Sequence, residues 1–316
     1  MEAAVASMCN LVRQGDPQQL SGAATAIAHH GELVQGVFHD DGGQLHRGLV
    51  TLPLTKLRSS ATFTRTESSA LTTDPASKCK AAAAARLALK HLGGNLGGIL
   101  SIRSAIAVGH GYGSSTADVV AAIRAVAAAH DVHLTPTRIA MLAVAAEQAS
   151  DAIAFDDQAV LFAQREGRIL ENFGGSLPPL LVVGFKANCG LPIDTLQLLP
   201  ARYNSAEIQQ FQVVRALVSR AVRYQDPYCA GRAATVSAQI SQRHLPKQDF
   251  DRVIEIARET GACGVQVAHS GSLIGVLFDL AGTNVQRLAE RAAAAAQQAG
   301  FSDVQFYKIN DEGASW

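Results

Sequence analysis

The 316-residue chain has no excess of either charge, because 27 Lys and Arg residues are balanced by 27 Asp and Glu residues. Nucleic acids and anionic membranes select proteins with surplus cations, so the balance argues against both as principal partners. No apolar run reaches the roughly 20 residues of a membrane helix. The N-terminus, "MEAAVASMCNLVRQGDPQQL", lacks the basic start and apolar centre of a signal peptide, and it predicts a short helix.

Cysteine is scarce and scattered. The five cysteines form no C-x-x-C pair, and their number is odd. A disulfide framework needs an even set, and a structural zinc site needs closely spaced thiols. The pattern therefore predicts reduced thiols in a cytoplasmic protein. The cysteines are Cys9, Cys79, Cys189, Cys229 and Cys263.

What is present is an apolar, globular composition, with 48% hydrophobic and 17% charged residues. Strand-like and helix-like segments alternate, which favours an α+β or α/β fold. Hairpins are predicted around "HDDGG" and "REG", with further strands over 60–67 and 98–108. Helices are predicted over 74–94, from Ser114 or Ser115 to about 129, and over 136–150, 204–224, 231–243, 247–260 and 283–298.

A Gly- and Pro-rich break precedes a near-continuous apolar strand in "GGSLPPLLVVGF", residues 174–185. Breaks of this kind separate domains. The sequence therefore predicts an N-terminal domain over 1–175 and a C-terminal domain over 176–316.

The stretch "AVGHGYGSSTADVVAAI", residues 107–123, places three glycines and two serines between an apolar run and a predicted helix. Its G-x-G-x-G spacing differs from the G-x-G-x-x-G of dinucleotide sites, and no lysine between Lys90 and Lys186 supplies a Walker A motif. Two interpretations remain open. Backbone N–H groups and the helix N-terminus form a phosphate site, with a serine hydroxyl on Mg²⁺. Alternatively, the stretch is an ordinary turn with a serine N-cap.

Polar groups also interrupt two apolar strands, in "HHGELVQG" (29–36) and "VAHSGSLIGVLFD" (267–279). Buried polar groups are costly unless they are satisfied, which favours a purpose for both stretches. With "VGHGYGSSTAD" between them, they resemble the ordered motifs of the GHMP kinases, whose middle motif has the form P-x-x-x-G-L-G-S-S-A. "GELVQG", "GSSTAD", "AATVSAQISQRHLPK" and "VAHSG" are most similar to the L-threonine kinases of cobalamin biosynthesis.

The resemblance implies an α+β fold with two domains, a ribosomal-S5-like N-terminal domain and a ferredoxin-like C-terminal domain. It implies that Ser115 and Glu147 bind Mg²⁺ and that Asp151 accepts the hydroxyl proton as the catalytic residue. Asp156 and Asp157 are alternatives to Asp151, and some GHMP kinases work without a base. The residues implied to bind ATP are Gly109, His110, Gly111, Tyr112, Gly113, Ser114, Ser115 and Thr116.

The acceptor side is implied to use His30, Glu32 and Gln35, with Ser270 and Gly271 from the second domain. "HHGEL" replaces the "SCGEL" of the threonine kinases, and Ala26 stands near the place of the mevalonate-kinase lysine. Both departures leave the identity of the acceptor open.

The resulting hypothesis is a cytoplasmic kinase that uses ATP and Mg²⁺ to phosphorylate a hydroxyl group of L-threonine or of a related amino acid or amino alcohol. A kinase for another alcohol of secondary metabolism and a catalytically inactive ligand-binding protein of the same fold are the alternatives. The expected partner is a small-molecule substrate, not nucleic acid or membrane, and a homodimer is left open.

Overall fold

A computed structural model describes residues 20–93, 97–187, 202–268 and 271–311, so the predicted N-terminal helix lies outside the described residues. The described chain forms two sheets with helices packed on them. The elements are β1 (Ser21–His39), β2 (Leu45–Arg65), β3 (Leu71–Asp74), α1 (Cys79–His91), β4 (Gly98–Ser104), α2 (Ser114–Ala129), α3 (Pro136–Glu147), β5 (Gln158–Ala163), β6 (Arg168–Ser176), β7 (Leu180–Lys186), α4 (Ser205–Tyr224), α5 (Pro227–Ser241), α6 (Phe250–Thr260), β8 (Gly264–Val267), β9 (Leu273–Asp279), α7 (Val285–Gln298) and β10 (Ser302–Ile309).

The first sheet has six strands, in the order β3-β4-β2-β5-β6 with β1 paired to β2. β1 and β2 form the hairpin predicted around "HDDGG", and β5 and β6 form the one predicted around "REG". β2 is continuous and covers both the second strand of the "HDDGG" hairpin and most of the strand predicted over 60–67. The second sheet has the order β10-β7-β9-β8. The α+β class expected from the sequence is confirmed.

Helix α2 lies at the centre of the first half of the chain. Most of its 16 residues are buried, as expected for a helix that is apolar on every side. Its one buried carboxylate, Asp118, accepts hydrogen bonds from Ser59 and Lys78, each at 2.6 Å. These bonds join the helix to β2 through Ser59 and to the start of α1 through Lys78.

The first sheet ends at Ser176 and the second begins at Leu180. The core does not divide at that point, because α4 and α5 pack against β1 and β6, and Phe211 joins the first core. A second core lies between β7–β9 and helices α6 and α7. The division into domains 1–175 and 176–316 stays a prediction.

Several elements differ from the sequence-based expectation, among them β3, α1, α5, α6 and β10. Helix α1 begins at Cys79 instead of residue 74, because Asp74 is the last residue of β3 and pairs with Ser101. Strand β10 was not predicted, since half of its residues are exposed and Ile309 alone is buried. Among the described residues, no helix is both long enough and apolar enough to span a bilayer.

Candidate active site

The site is built on an irregular part of β1. The pairing of β1 with β2 shifts register around His29 and Glu32, and Gly31 has a positive φ of +66°. The shift breaks the strand alternation, so that His29, His30 and Glu32 are all buried. A bulge of this kind redirects side chains at a functional site.

The glycine-rich loop lies against this bulge. The backbone N–H of His29 donates to the Tyr112 carbonyl, and that of Gly31 donates to the Gly111 carbonyl, both at 3.1 Å. On its other side the loop contacts the turn before β9, where the N–H of Ser272 donates to the His110 carbonyl at 3.1 Å. The loop is therefore fixed between the two sheets.

Helix α2 begins directly after this loop without a side-chain cap. Its N-cap is Gly113, with φ +69°, and no side chain bonds to the first turn. The interpretation as a turn with a serine N-cap is therefore wrong. An uncapped helix N-terminus presents unpaired N–H groups and a partial positive charge, which suit an anion.

The hydroxyls of the first turn point to two carboxylates instead. Ser115 Oγ donates to Glu147 at 3.0 Å, and Thr116 Oγ1 lies 2.8 Å from Glu147 and 3.2 Å from Asp151. α3 ends at Glu147, and Gln148 in the left-handed region reverses the chain. That reversal brings Asp151 back to the same hydroxyl, although four positions separate the two carboxylates.

His29 is the second partner of Asp151. Its Nε2 lies 3.0 Å from Asp151 Oδ2, and because a carboxylate only accepts, this nitrogen carries the proton. Burial alone would lower the pKa of His29, but the charge and hydrogen bond of Asp151, with Glu32 nearby, raise it above its usual value. Ligand atoms of His29, Glu32 and Asp151 all lie within 4.8 Å of one another.

Glu147 is the most strongly perturbed carboxyl group at the site. Burial raises its pKa to about 7, and the charge of Asp151 adds to the effect, against the hydrogen bonds from Thr116, Ser150 and Ser115. A buried carboxyl group with a raised pKa beside a second carboxylate is typical of a cation-binding site.

The two alternative aspartates lie elsewhere. Asp156 forms two hydrogen bonds with Arg124, at 3.1 and 3.0 Å, on an exposed part of the surface. Asp157 is exposed and accepts from Ser176 at 3.3 Å. Neither contacts the hydroxyls of α2, whereas Asp151 does.

Several predicted site residues face the contact between the two sheets. His30 Nδ1 lies 2.9 Å from Gln266 Oε1, its ring packs on Tyr112 and Tyr307, and burial lowers its pKa to about 4. The hydroxyl of Tyr112 pairs with that of Tyr307 at 2.8 Å, and His110 Nδ1 lies 3.3 Å from Ser272 Oγ. These side chains anchor the loop. The backbone N–H groups of the loop remain available to bind an anion.

The remaining acceptor-side residues are distributed around β1. Glu32 lies beside His29 and Asp151. Gln35 bonds to Gln164 at 2.6 Å and, through its N–H, to Ser237 of α5. A Cβ atom at Gly271 would lie 2.1 Å from the His110 carbonyl, so this turn must be glycine for the loop to approach. Ser270 lies outside the described residues.

Two residues at the site were not assigned by the sequence analysis, namely His29 and Lys247. A polar pair inside an apolar strand was a signal for His29. Lys247, in "HLPKQD", has the sequence context of a solvated loop, yet it is only 4% exposed and donates to the Gly271 carbonyl.

Gly113→Ala is expected to destabilise the fold by about 1–3 kcal/mol beyond the cost of a left-handed alanine. A Cβ atom at Gly113 would lie 2.2 Å from His29 Nε2. The matched control is Gly261→Ala, where φ is also +69° but nothing lies within 4 Å. Urea unfolding measures both variants. Equal losses of unfolding free energy in the two variants would show that the His29 side chain moves aside at no energetic cost.

The comparisons with known proteins agree with this architecture. A homoserine kinase from Cytophaga hutchinsonii superimposes with a TM-score of 0.62 at 16% identity, over 95% of this chain and 98% of that one. A mevalonate kinase from Staphylococcus aureus gives 0.59 at 15% identity, over 92% and 99%. The chain therefore has the GHMP kinase fold.

Sequence comparison finds similarity over part of the chain. Residues 79–164 match the family model "GHMP kinases N terminal domain". L-threonine kinases from Salmonella typhimurium and Citrobacter freundii are each 33% identical to it, over 61% and 57% of this chain. The matches cover 64% and 62% of those proteins, so the chain spans less than two thirds of their length.

Proposed function

We propose that the protein is a kinase that uses ATP and Mg²⁺ to phosphorylate the hydroxyl group of L-threonine or of a related hydroxylated amino acid or amino alcohol. The observation that carries the proposal is the single network of Ser115, Thr116, Glu147, Asp151 and His29 at the uncapped N-terminus of α2. It combines an anion site, a cation site and a proton acceptor in contact with one another, as phosphoryl transfer requires.

The residues present fit ATP and Mg²⁺. Backbone groups of 109–116 suit the phosphates, because the loop turns on three positive-φ glycines and no side chain caps the helix. Ser115 and Glu147 offer hydroxyl and carboxylate oxygens, the ligands that Mg²⁺ prefers. When bound, the cation offsets the negative charge of the phosphates.

Asp151 is proposed to accept the proton of the acceptor hydroxyl. The Asp151 contacts with His29 and Thr116 both use Oδ2. The hydrogen bond from the buried His29 ring fixes the carboxylate plane and leaves Oδ1 as the basic atom for a hydroxyl. His29 is thus a positioning residue, and proximity of the acceptor supplies the rest of the rate.

The names of the L-threonine kinase relatives support an amino-acid acceptor. The chemistry of β1 supports it as well, because the buried Glu32 carboxylate stands beside Asp151 where it can bind an ammonium group. The reaction would give the O-phospho ester and ADP.

The test is ADP release from the purified protein with L-threonine, L-serine, 1-amino-2-propanol and a nitrogen-free alcohol, with and without Mg²⁺. We expect Mg²⁺-dependent turnover of a nitrogen-containing acceptor, with ³¹P NMR showing the phosphate ester. Turnover of the nitrogen-free alcohol alone would favour a kinase for another alcohol. Tight ATP binding without turnover of any acceptor would favour the inactive ligand-binding protein.

A further inference from the structure

Tyr112 is the aromatic residue of the glycine-rich loop. It lies between Gly111 and Gly113, whose φ values are +105° and +69°. Glycine leaves the backbone free to adopt many conformations, so the conformation of such a loop depends on contacts outside it. The Tyr112 side chain is 5% exposed, and its hydroxyl lies 2.8 Å from that of Tyr307 in β10. A hydrogen bond between residues 195 positions apart therefore joins the loop to the second sheet.

Tyr307 is positioned by the strands around it. β10 pairs with β7, where Tyr307 lies opposite Val182. Its ring packs on His30 at a centroid distance of 5.1 Å, and His30 Nδ1 lies 2.9 Å from Gln266 Oε1 of β8. A Cβ atom at Gly184 of β7 would lie 2.3 Å from His30 Nε2 and 2.9 Å from Tyr307 Cε2. The two rings therefore fill a space that glycine leaves open, and the Tyr307 hydroxyl faces the loop.

Tyr112 also directly precedes the N-terminus of α2. Its carbonyl accepts from the His29 N–H of β1 at 3.1 Å, so its backbone is bonded to the first sheet and its side chain to the second. Gly113, the next residue, is the N-cap of α2, and no side chain bonds to the first turn of that helix. The N–H groups proposed to bind phosphate therefore follow a residue that both sheets hold. A loop that is already in its binding conformation loses less entropy when the ligand binds.

We infer that Tyr307 is a positioning residue for ATP, which acts through the Tyr112 hydroxyl to keep the glycine-rich loop in its phosphate-binding conformation. The second sheet thereby contributes to nucleotide affinity through β10, a strand that contains none of the motifs named from the sequence. This inference rests on the proposed kinase function, because it takes ATP as the ligand of the loop, and it adds a residue to the machinery of that site.

The first experiment measures the Kd of a non-hydrolysable ATP analogue with Mg²⁺, by isothermal titration calorimetry, in Tyr307→Phe, in Tyr112→Phe and in the double variant. Phenylalanine keeps the ring and removes only the hydroxyl. Each single variant is expected to raise Kd by about 3- to 10-fold, the effect of one lost hydrogen bond. Because both substitutions break the same bond, the double variant should bind within about twofold of the weaker single variant. The matched control is Tyr203→Phe, at a tyrosine that packs on Phe211 and His244, and its Kd should equal that of the wild type.

Three results would overturn the inference. The first is a Kd in Tyr307→Phe within about twofold of the wild-type value, or no binding by the wild type itself. The second is a double variant whose effect is the product of the two single effects, because the hydroxyls would then act independently. The third is an equal rise of Kd in Tyr203→Phe, which would assign the effect to general destabilisation.

A second measurement follows the loop without any nucleotide. Amide hydrogen exchange of peptides that cover 107–118 should be about 3- to 10-fold faster in Tyr307→Phe than in the wild type, because a loop that has lost this hydrogen bond opens more often. Exchange in α6 should be unchanged. A uniform acceleration over the whole chain, or no acceleration in the loop, would contradict the positioning role. Failure of the proposed kinase function is seen separately, as absence of turnover with every acceptor by a protein that binds the ATP analogue.

Discussion

Asp151→Asn is expected to lower kcat for the hydroxyl acceptor by about 10²- to 10⁴-fold, the usual contribution of a general base. Asparagine keeps the shape of the side chain, and its carbonyl oxygen can still accept from His29 and Thr116, which reach Asp151 Oδ2 at 3.0 and 3.2 Å. What is lost is the basic oxygen. The measurement is single-turnover formation of the phosphate ester at saturating ATP and acceptor.

The matched control is Asp157→Asn, because this aspartate is exposed and contacts Ser176 instead of α2. Its kcat should stay within about twofold of the wild type. A loss below about tenfold in Asp151→Asn would show that positioning dominates and that no base is needed. A large loss of kcat in Asp157→Asn would indicate that Asp157 is the general base.

Glu147→Gln is expected to lower kcat/KM by at least about 10²-fold, because the amide cannot supply the negative charge that holds a cation beside the phosphates. Ser115 and Thr116 donate to different oxygens of Glu147, so glutamine keeps one of these bonds through its amide oxygen and can donate its NH2 group to the other hydroxyl. The measurement is the rate as a function of Mg²⁺ concentration. Glu166→Gln, at a carboxylate that pairs with His46 away from α2, should be unaffected.

The same variant is expected to be more stable than the wild type at alkaline pH. The pKa of Glu147 is raised to about 7 in the folded protein, against an ordinary value of 4.5, so ionisation opposes folding. The stability of the wild type should therefore fall as pH rises from about 4.5 to 7, and the variant should escape this fall. Its melting temperature should exceed that of the wild type at pH 8, and the difference should shrink by pH 5. A difference independent of pH would place its cause elsewhere.

Much of the fold followed from local sequence. The helix over 204–224 was predicted within a residue of the observed Ser205–Tyr224, because a strong N-cap and a regular apolar face coincide there. β10 was missed, because its pairing with β7 supplies what its side chains do not. The start of α1 was misplaced, since the parallel pairing of Asp74 with Ser101 overrides the helical pattern.

At the site, the hydroxyls, Glu147 and Asp151 could be named from motifs, but their contacts could not. The left-handed Gln148 compensates for the spacing between the two carboxylates, and nothing in "EQASD" predicts it. The bulge in β1 decides which histidine meets Asp151: it places His29 on the carboxylate and turns His30 toward Gln266. The burial of Lys247 could not be predicted from the sequence, because it depends on a turn more than 20 residues away, at Gly271.

The glycine-rich loop has a consequence for protein engineering. Its carbonyls at 110, 111 and 112 accept from Ser272, Gly31 and His29, so two distant segments determine its conformation. Chimaeras that exchange only the loop between homologous chains would leave these donors mismatched. A transplant should carry 29–31 and 271–273 together with 109–113, as one unit assembled from three parts of the chain.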